Sequence, residues 1–427
     1  MSLLICNGLQ KELCVNLRRF TRNQSAVAHI FAPTNYSQAS KFTSYFWRNE
    51  QWQRNGRRKL LSNAIAAEPE ITSIVGAQHN SYPPPLSAVP YRPVPSLSLP
   101  RLLGIYAQLS KSRLTMFNVL TAMSAFAVFP LPTTVPVLLA TAAGTLFCSA
   151  SANTLNQLQE VPYDAQMART RNRPLVRHAI SPLHATGFAL VTGVAGPALL
   201  WSAVNPTTAL LGLGNIILYT GPYTYLKRRS AWNTWVGAVV GAIPPLMGWA
   251  ACGGQILPSA FTQIHFYLPS FLGSSALLPV DSVESPLPPL ALFLLLFSWQ
   301  FPHFMGLSHV VRASYAQAGY RMLAVLNPRK NALVSLRHAV LLIPICSILV
   351  PLSGLTTWWF ALTSLVPNAL CTTYAWDFWK KGGEKQARKV FHASLWYLPV
   401  VMGLMMLHKN GLEWTKWFQG EEKEQEL

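Results

Sequence analysis

From about Leu102 onward the chain is a succession of apolar runs of roughly 20 residues, the length at which an α-helix crosses the hydrocarbon core of a bilayer. Nine runs stand out: Leu114 to Phe129, Val135 to Leu158, Ala179 to Val204, Ala209 to Tyr225, Trp235 to Cys252, Leu290 to Leu307, Ala339 to Leu355, Trp358 to Ala375 and Phe391 to Leu407. The first and fourth are short, and little more than Asn205 and Pro206 separates the third from the fourth. In a bilayer every backbone polar group must be satisfied within the protein, so runs of this length predict an all-α fold. The expected architecture is a polytopic membrane protein, a nine-transmembrane-helix bundle.

The polar positions between the runs test that count. Lys and Arg fall in Arg169 to Arg177, Lys227 to Arg229, Arg312 to Arg337 and Lys380 to Lys389, after the second, fourth, sixth and eighth runs; the loops after the first, third, fifth and seventh contain neither. Cytoplasm-like faces of membrane proteins retain positive charge, so all four basic loops belong on one side. Arg101, Lys111 and Arg113 join them, and the acidic tail Glu421 to Glu426 belongs opposite. A miscounted run would scramble this alternation.

Before the first run the pattern changes. Residues 1–63 carry Lys11, Arg18, Arg19, Arg22, Lys41, Arg48, Arg54, Arg57, Arg58 and Lys59 against Glu12 and Glu50, with abundant Ser, Asn and Gln and no apolar run fit for a secretory signal. This is the composition of a mitochondrial transit peptide, or alternatively of a basic disordered tail. Residues 64–101, with Pro83, Pro84 and Pro85 in a row, read as a Pro/Ser-rich linker. The membrane domain is then 102–408, with 253–289 as an inserted loop, and 409–427 is a charged tail. With a transit peptide in front, the expected place is the mitochondrial inner membrane, basic loops towards the matrix.

Composition agrees: only 11% of the 427 residues are charged. The net charge of +19 is scattered among apolar runs rather than gathered into a patch, which argues against nucleic acid. The six cysteines show no metal-ligand spacing, and Cys148, Cys252, Cys346 and Cys371, inside apolar runs, read as small buried hydrophobes.

Candidate chemistry gathers where polarity intrudes on the second run, NTLNQLQEVPYDAQMARTRNRP from Asn153 to Pro174. Asn156, Glu160 and Asp164 follow at four-residue steps, which on one helix shares a face. Pro162 argues for a break or kink near Gln159 to Val161, with Asp164 on the turn that follows. An amide and two carboxylates are hard oxygen donors suited to Mg²⁺; Arg169, Arg171 and Arg173 suit phosphate or carboxylate. Together they describe a diphosphate site, against the alternative of ordinary charges at a membrane edge.

Two further segments lie on the same face. In YLKRRSAWNTWVGAVVGAIPPLMGW, Lys227 and Arg228 are placed to grip phosphate or merely to orient the helix, Asn233 to cap the next helix, and Gly237 and Gly241 to admit a close neighbour. In SWQFPHF, His303 follows Pro302 inside an apolar run, and is either a hydrogen-bonded core histidine or a haem ligand or proton acceptor. His309 lies nearer the surface.

NQLQEVPYDAQMARTRNRPL, YLKRRSAWNTWVGAVVGAIPPLMGW, and SWQFPHF followed by RASYAQAGYRML resemble the protohaem IX farnesyltransferase (haem O synthase) family of the UbiA superfamily of membrane prenyltransferases, over about Ser110 to Met406. That resemblance implies a nine-helix bundle and a Mg²⁺-dependent reaction in which farnesyl diphosphate ionises. Its allylic carbon is captured by a vinyl group of haem B, and water completes the substituent of haem O, on the route to haem A of cytochrome c oxidase. It implies Asn156, Glu160 and Asp164 at the metal, and Arg169, Arg173, Lys227 and Arg228 at the diphosphate. Asn153 matches a motif position of the mitochondrial branch, and His303 the family histidine linked to haem. The implied partners are haem B, farnesyl diphosphate and the bilayer; a homo-oligomer and haem A synthase or oxidase assembly proteins are further candidates.

One departure stands out. Where the family has an aspartate just before Tyr315, this chain has Ser314, a far poorer Mg²⁺ ligand, and Asp377 and Glu384 are the carboxylates available on the same face to substitute. Two alternatives therefore stand beside an active haem enzyme: a catalytically silent haem- or isoprenoid-binding membrane protein, and a UbiA-type prenyltransferase for another aromatic acceptor. A transporter fits less well, since the polar residues gather at a membrane edge and no inverted repeat is visible.

Overall fold

The computed structural model describes residues 98–258, 264–269 and 279–411. The expected transit peptide, nearly all of the linker and the end of the charged tail lie outside the described residues. The regular structure among them is helical, apart from one isolated bridge between Thr356 and Lys409, with turns and irregular segments between the helices.

The helices, in chain order, are α1 (Leu99–Leu109), α2 (Ser112–Val128), α3 (Val135–Asp164), α4 (Pro182–Ala203), α5 (Pro206–Leu218), α6 (Asn233–Ala251), α7 (Pro279–Glu284), α8 (Leu287–Val310), α9 (Arg312–Gln317), α10 (Leu323–Leu326), α11 (Pro328–Pro344), α12 (Trp359–Thr363), α13 (Leu365–Lys381) and α14 (Gly383–Leu407). Their starts follow from the sequence. Ser181, Asn205 and Asn327 each accept the amide three residues on, and a proline follows each where a missing N–H costs nothing. Two rods widen at prolines: beyond α5 a π-turn spans Tyr219–Tyr223 around Pro222, and beyond α11 another spans Ile345–Leu349 after Pro344.

Among the described residues, six helical rods are long and apolar enough to cross a membrane: α3, α4, α6, α8, the continuous rod Pro328–Leu352, and α14. The other three expected runs coincide with shorter helices, α2 and α13 of 17 residues each and α5 of 13. The eighth run is broken at Ser364 between α12 and α13, and α13 runs on to Lys381, past the expected end at Ala375. The first helix begins at Leu99, inside the expected linker.

Large side chains such as Val191, Val194, Val366 and Trp396 are exposed on the outside, as they must be where the solvent is lipid. Inside, Trp249 packs edge-on against Phe129, and the main apolar cluster joins α2, α6, α8, α11, α13 and α14. Small residues set the spacing: a Cβ on Gly248 would collide with the Ala122 carbonyl oxygen, so α2 and α6 touch backbone to backbone there. A Cβ on Gly237 would come within 2.8 Å of the Tyr223 ring, which supports the expected close approach of that helix. The inserted loop is tied down where described, Gln255 to Val283 and Tyr267 to Leu352 through backbone hydrogen bonds of 3.0 and 2.8 Å.

The end of α3, the π-turn after α5, the turn at residues 227–232 and the α9–α10 segment meet at one end of the bundle. Arg321 N–H donates to the Lys227 carbonyl at 3.2 Å, and Tyr163 lies 5.6 Å, ring to ring, from Tyr320.

Candidate functional site

The polar face of α3 is intact. The helix runs through Pro162 to Asp164, contrary to the expected break, and Asn156, Glu160 and Asp164 all lie on it. Proline two residues before the end forfeits one hydrogen bond in the last turn, and the next turn closes normally, Ala165 N–H to Val161 O at 3.1 Å. The three residues are no more than 2% exposed.

Burying two carboxylates is tolerable only with compensation. Lys227 Nζ stands 2.7 Å from Glu160 Oε1, Arg173 Nη1 stands 3.8 Å from Glu160 Oε2, and Arg173 also pairs with Asp164 Oδ2. Lys111 Nζ donates to Asn156 Oδ1 at 2.8 Å and to Tyr219 Oη at 3.2 Å, while Asn156 Nδ2 donates to Thr224 Oγ1 at 3.1 Å. Asp164 Oδ1 is buried and has no partner. Three cations thus enclose two carboxylates and an amide.

Aromatic rings wall the cluster. Tyr219 and Tyr223 stack at 5.1 Å, and the Lys227 ammonium lies 5.5 and 5.1 Å from the rings of Tyr223 and Tyr320. Arg228 donates to Tyr163 Oη at 2.9 Å and lies over its ring. Burial and the neighbouring Arg173 charge push Lys111 down to about 7, Glu160 and Asp164 offsetting only part. Burial also acts against Lys227, but Glu160 and the surrounding tyrosines outweigh it and hold this lysine well above the usual range. Lys111 is further held at φ 49°, a left-handed conformation that costs a side-chain-bearing residue about 1–2 kcal/mol.

The other sequence-derived candidates divide. Asn153 belongs to the cluster's edge, donating to Ser110 O and Thr115 Oγ1 and accepting from Tyr219 Oη at 3.4 Å. Arg169 is exposed and makes no side-chain hydrogen bond or ion pair among the described residues, although its charge reaches Tyr223 in the cluster wall. Asn233 is not the expected cap: it is the first helical residue, fully buried, and donates back to Ser230 O at 2.6 Å, pinning the turn that carries Lys227 and Arg228. Tyr315 is buried against Met167 and Tyr320, and Ser314, half-buried beside it, makes no side-chain hydrogen bond. Asp377 and Glu384 are taken up by helical pairs with Lys381 and Arg388, at 2.8 and 2.5 Å, and do not join the α3 cluster.

His303 stands apart, between α8 and α14, stacked at 5.0 Å on Trp299 and half-buried. The Ser394 hydroxyl donates to Phe391 O at 2.7 Å, so it accepts from His303 Nδ1 at 3.0 Å. That fixes the proton on Nδ1 and leaves Nε2 with its lone pair. Its partner is a hydroxyl, not a backbone carbonyl.

Sequence reasoning missed Lys111, Thr224 and the tyrosines 163, 219, 223 and 320. The signals were present: a lysine at the membrane edge just before the first run, and YTGPYTY, three tyrosines around a helix-widening proline, beside Lys227.

The donor set fits a magnesium ion. Among the described residues no group of three or more His, Cys, Asp or Glu forms a self-sufficient metal cage. Mg²⁺ characteristically binds one or two carboxylates and completes its shell with water and substrate phosphate, and the unpartnered Asp164 Oδ1 is an oxygen of the right kind. The surrounding cations complement the phosphate oxygens.

Residues 116–398 match the model of the UbiA prenyltransferase family. The chain is 42% identical to a mitochondrial protoheme IX farnesyltransferase of Gibberella zeae, over 95% of this chain and 78% of that protein. Proteins of the same name are similar in Yarrowia lipolytica, 44% identical over 75% of this chain and 64% of theirs, and in Homo sapiens, 42% identical over 72% and 62%. The chain therefore spans less than two thirds of the length of some relatives it matches. Among solved structures, one described as digeranylgeranylglyceryl phosphate synthase in membranes superposes with TM-score 0.56 at 14% identity, over 73% of this chain and all of that one, a likeness of fold.

Proposed function

The chain belongs to the UbiA prenyltransferase family, and from that premise we propose that it transfers the farnesyl group of farnesyl diphosphate to a vinyl group of haem B, giving haem O. The observation that carries this reading is the α3 cluster: two buried carboxylates and an amide ringed by Lys111, Arg173 and Lys227, with one carboxylate oxygen unpartnered. The names of the relatives supply the acceptor; the cluster supplies the diphosphate chemistry.

Asn156, Glu160 and Asp164 would hold Mg²⁺, whose charge, when bound, stabilises the departing diphosphate. Lys111, Arg173 and Lys227 bind the phosphate oxygens and counter the charge that accumulates as the allylic C–O bond breaks and its electron pair leaves with diphosphate. Donors fixed in a water-poor site act most strongly where charge develops. Tyr219, Tyr223 and Tyr320 present ring faces that exclude water and stabilise the allylic cation. The vinyl π-pair of haem B then closes the new C–C bond, and water adds to the resulting cation with loss of a proton. His303 Nε2, unprotonated, is the residue assigned to contact the haem or accept that proton.

The same reading places nine membrane crossings in the mitochondrial inner membrane, with the basic end and the α3 cluster facing the matrix. Purified protein given farnesyl diphosphate, haem B and Mg²⁺ is expected to release diphosphate, and Asp164→Asn to abolish the release. Undiminished release by Asp164→Asn at limiting Mg²⁺ would remove that carboxylate from the metal site.

A further inference from the structure

A second basic pocket opens where the α8–α9 junction, the start of α11 and the α13–α14 turn meet. About 430 Å³ in volume, it is lined by His309, Arg312, Arg329, Lys380, Lys381 and Gly383, with no carboxylate in its wall. None of these residues belongs to the α3 network. Lys381 is shared with Asp377 at 2.8 Å, but Arg329 and Lys380 have no carboxylate within ion-pair distance among the described residues.

His309 forms part of the pocket wall. Its side chain is buried, only 5% of the residue being exposed, and the ring packs edge-on against Phe378. Arg312 is a donor only, so its approach to Nε2 at 3.5 Å assigns the lone pair to Nε2 and the proton to Nδ1. Nδ1 is buried without a partner. The amide end of α14, 25 residues long and starting at Gly383, adds its positive pole.

The depth identifies the ligand. Trp376 and Trp379, an aromatic pair 5.2 Å apart near the end of α13, mark the interfacial level at which lipid headgroups lie. We propose that this pocket binds the phosphate of an anionic phospholipid in the leaflet on the basic side of the protein. Basic pockets between helices at this level are suited to acidic headgroups, each Lys or Arg near the surface contributing about a fivefold gain in affinity.

The test is native mass spectrometry of the full-length protein in detergent, titrated with phosphatidylglycerol, with phosphatidylcholine and with inorganic phosphate. Phosphatidylglycerol is expected to bind at least about tenfold more tightly than phosphatidylcholine. The double variant Arg329→Gln/Lys380→Gln is expected to lose about twenty-five-fold in phosphatidylglycerol affinity. Lys385→Gln, a basic residue outside the pocket wall, should bind as the parent does, and matching melting temperatures would show that the variants fold. Unchanged lipid binding by folded variants would overturn the proposal, and so would displacement of lipid by millimolar inorganic phosphate without headgroup preference, which marks a free-phosphate site.

Discussion

Lys111 shows how a side chain is held ready for an anion. Lys111 is half-buried, its backbone is left-handed, and desolvation with Arg173 depresses its pKa to about 7; a bound diphosphate relieves the electrostatic part of that cost. We expect Lys111→Met to cut kcat/KM about a hundredfold, the typical loss when one donor to a developing oxyanion is removed, while the melting temperature moves little. Steady-state kinetics beside a thermal melt would check this, and a variant that unfolds outright would assign Lys111 to stability instead. Ser314 poses the complementary question. It adjoins Tyr315, which packs against Tyr320, and that ring in turn faces Tyr163 and Lys227. Ser314→Asp is expected to lower the Mg²⁺ concentration for half-maximal turnover; an inert or harmful substitution would mean that Glu160 and Asp164 complete the site unaided.

At the scale of elements, glycine contacts set how closely the helices hold the site. The space beside Gly248 is filled by the backbone of α2, which cannot yield, so Gly248→Ala should cost about 1–3 kcal/mol of stability, read from a denaturation curve in detergent. Gly237 differs because its neighbour is the ring of Tyr223, stacked on Tyr219 beside Lys227. Gly237→Ala is therefore expected to raise the KM for prenyl diphosphate more than it lowers stability; equal effects of the two alanines would detach Gly237 from the site. Element type was legible in the sequence because a bilayer dictates helix length, and the four-residue spacing of Asn156, Glu160 and Asp164 was legible as a shared face. Pro162 misled because its local penalty is small so near a helix end, and Asn233 because burial against the turn outweighed capping. That Lys111 and Tyr320 meet α3 was not legible, because packing of segments distant in sequence brings them there and no local period records it.

At the scale of the whole molecule, the alternation of basic and uncharged loops anticipated that the basic loops would share one end, and three of them meet around α3 there. The fourth contributes to the lipid-phosphate pocket proposed above. The central claim is the reaction, and the measurement that tests it most directly is the conversion of haem B to haem O. Membranes containing this protein would receive haem B and farnesyl diphosphate with and without Mg²⁺, and the porphyrins would be resolved by mass. The account predicts haem O that appears with Mg²⁺ and is lost with Asp164→Asn. Folded protein that binds farnesyl diphosphate and yields no haem O would contradict it, and would leave a protein that binds its isoprenoid without turning it over.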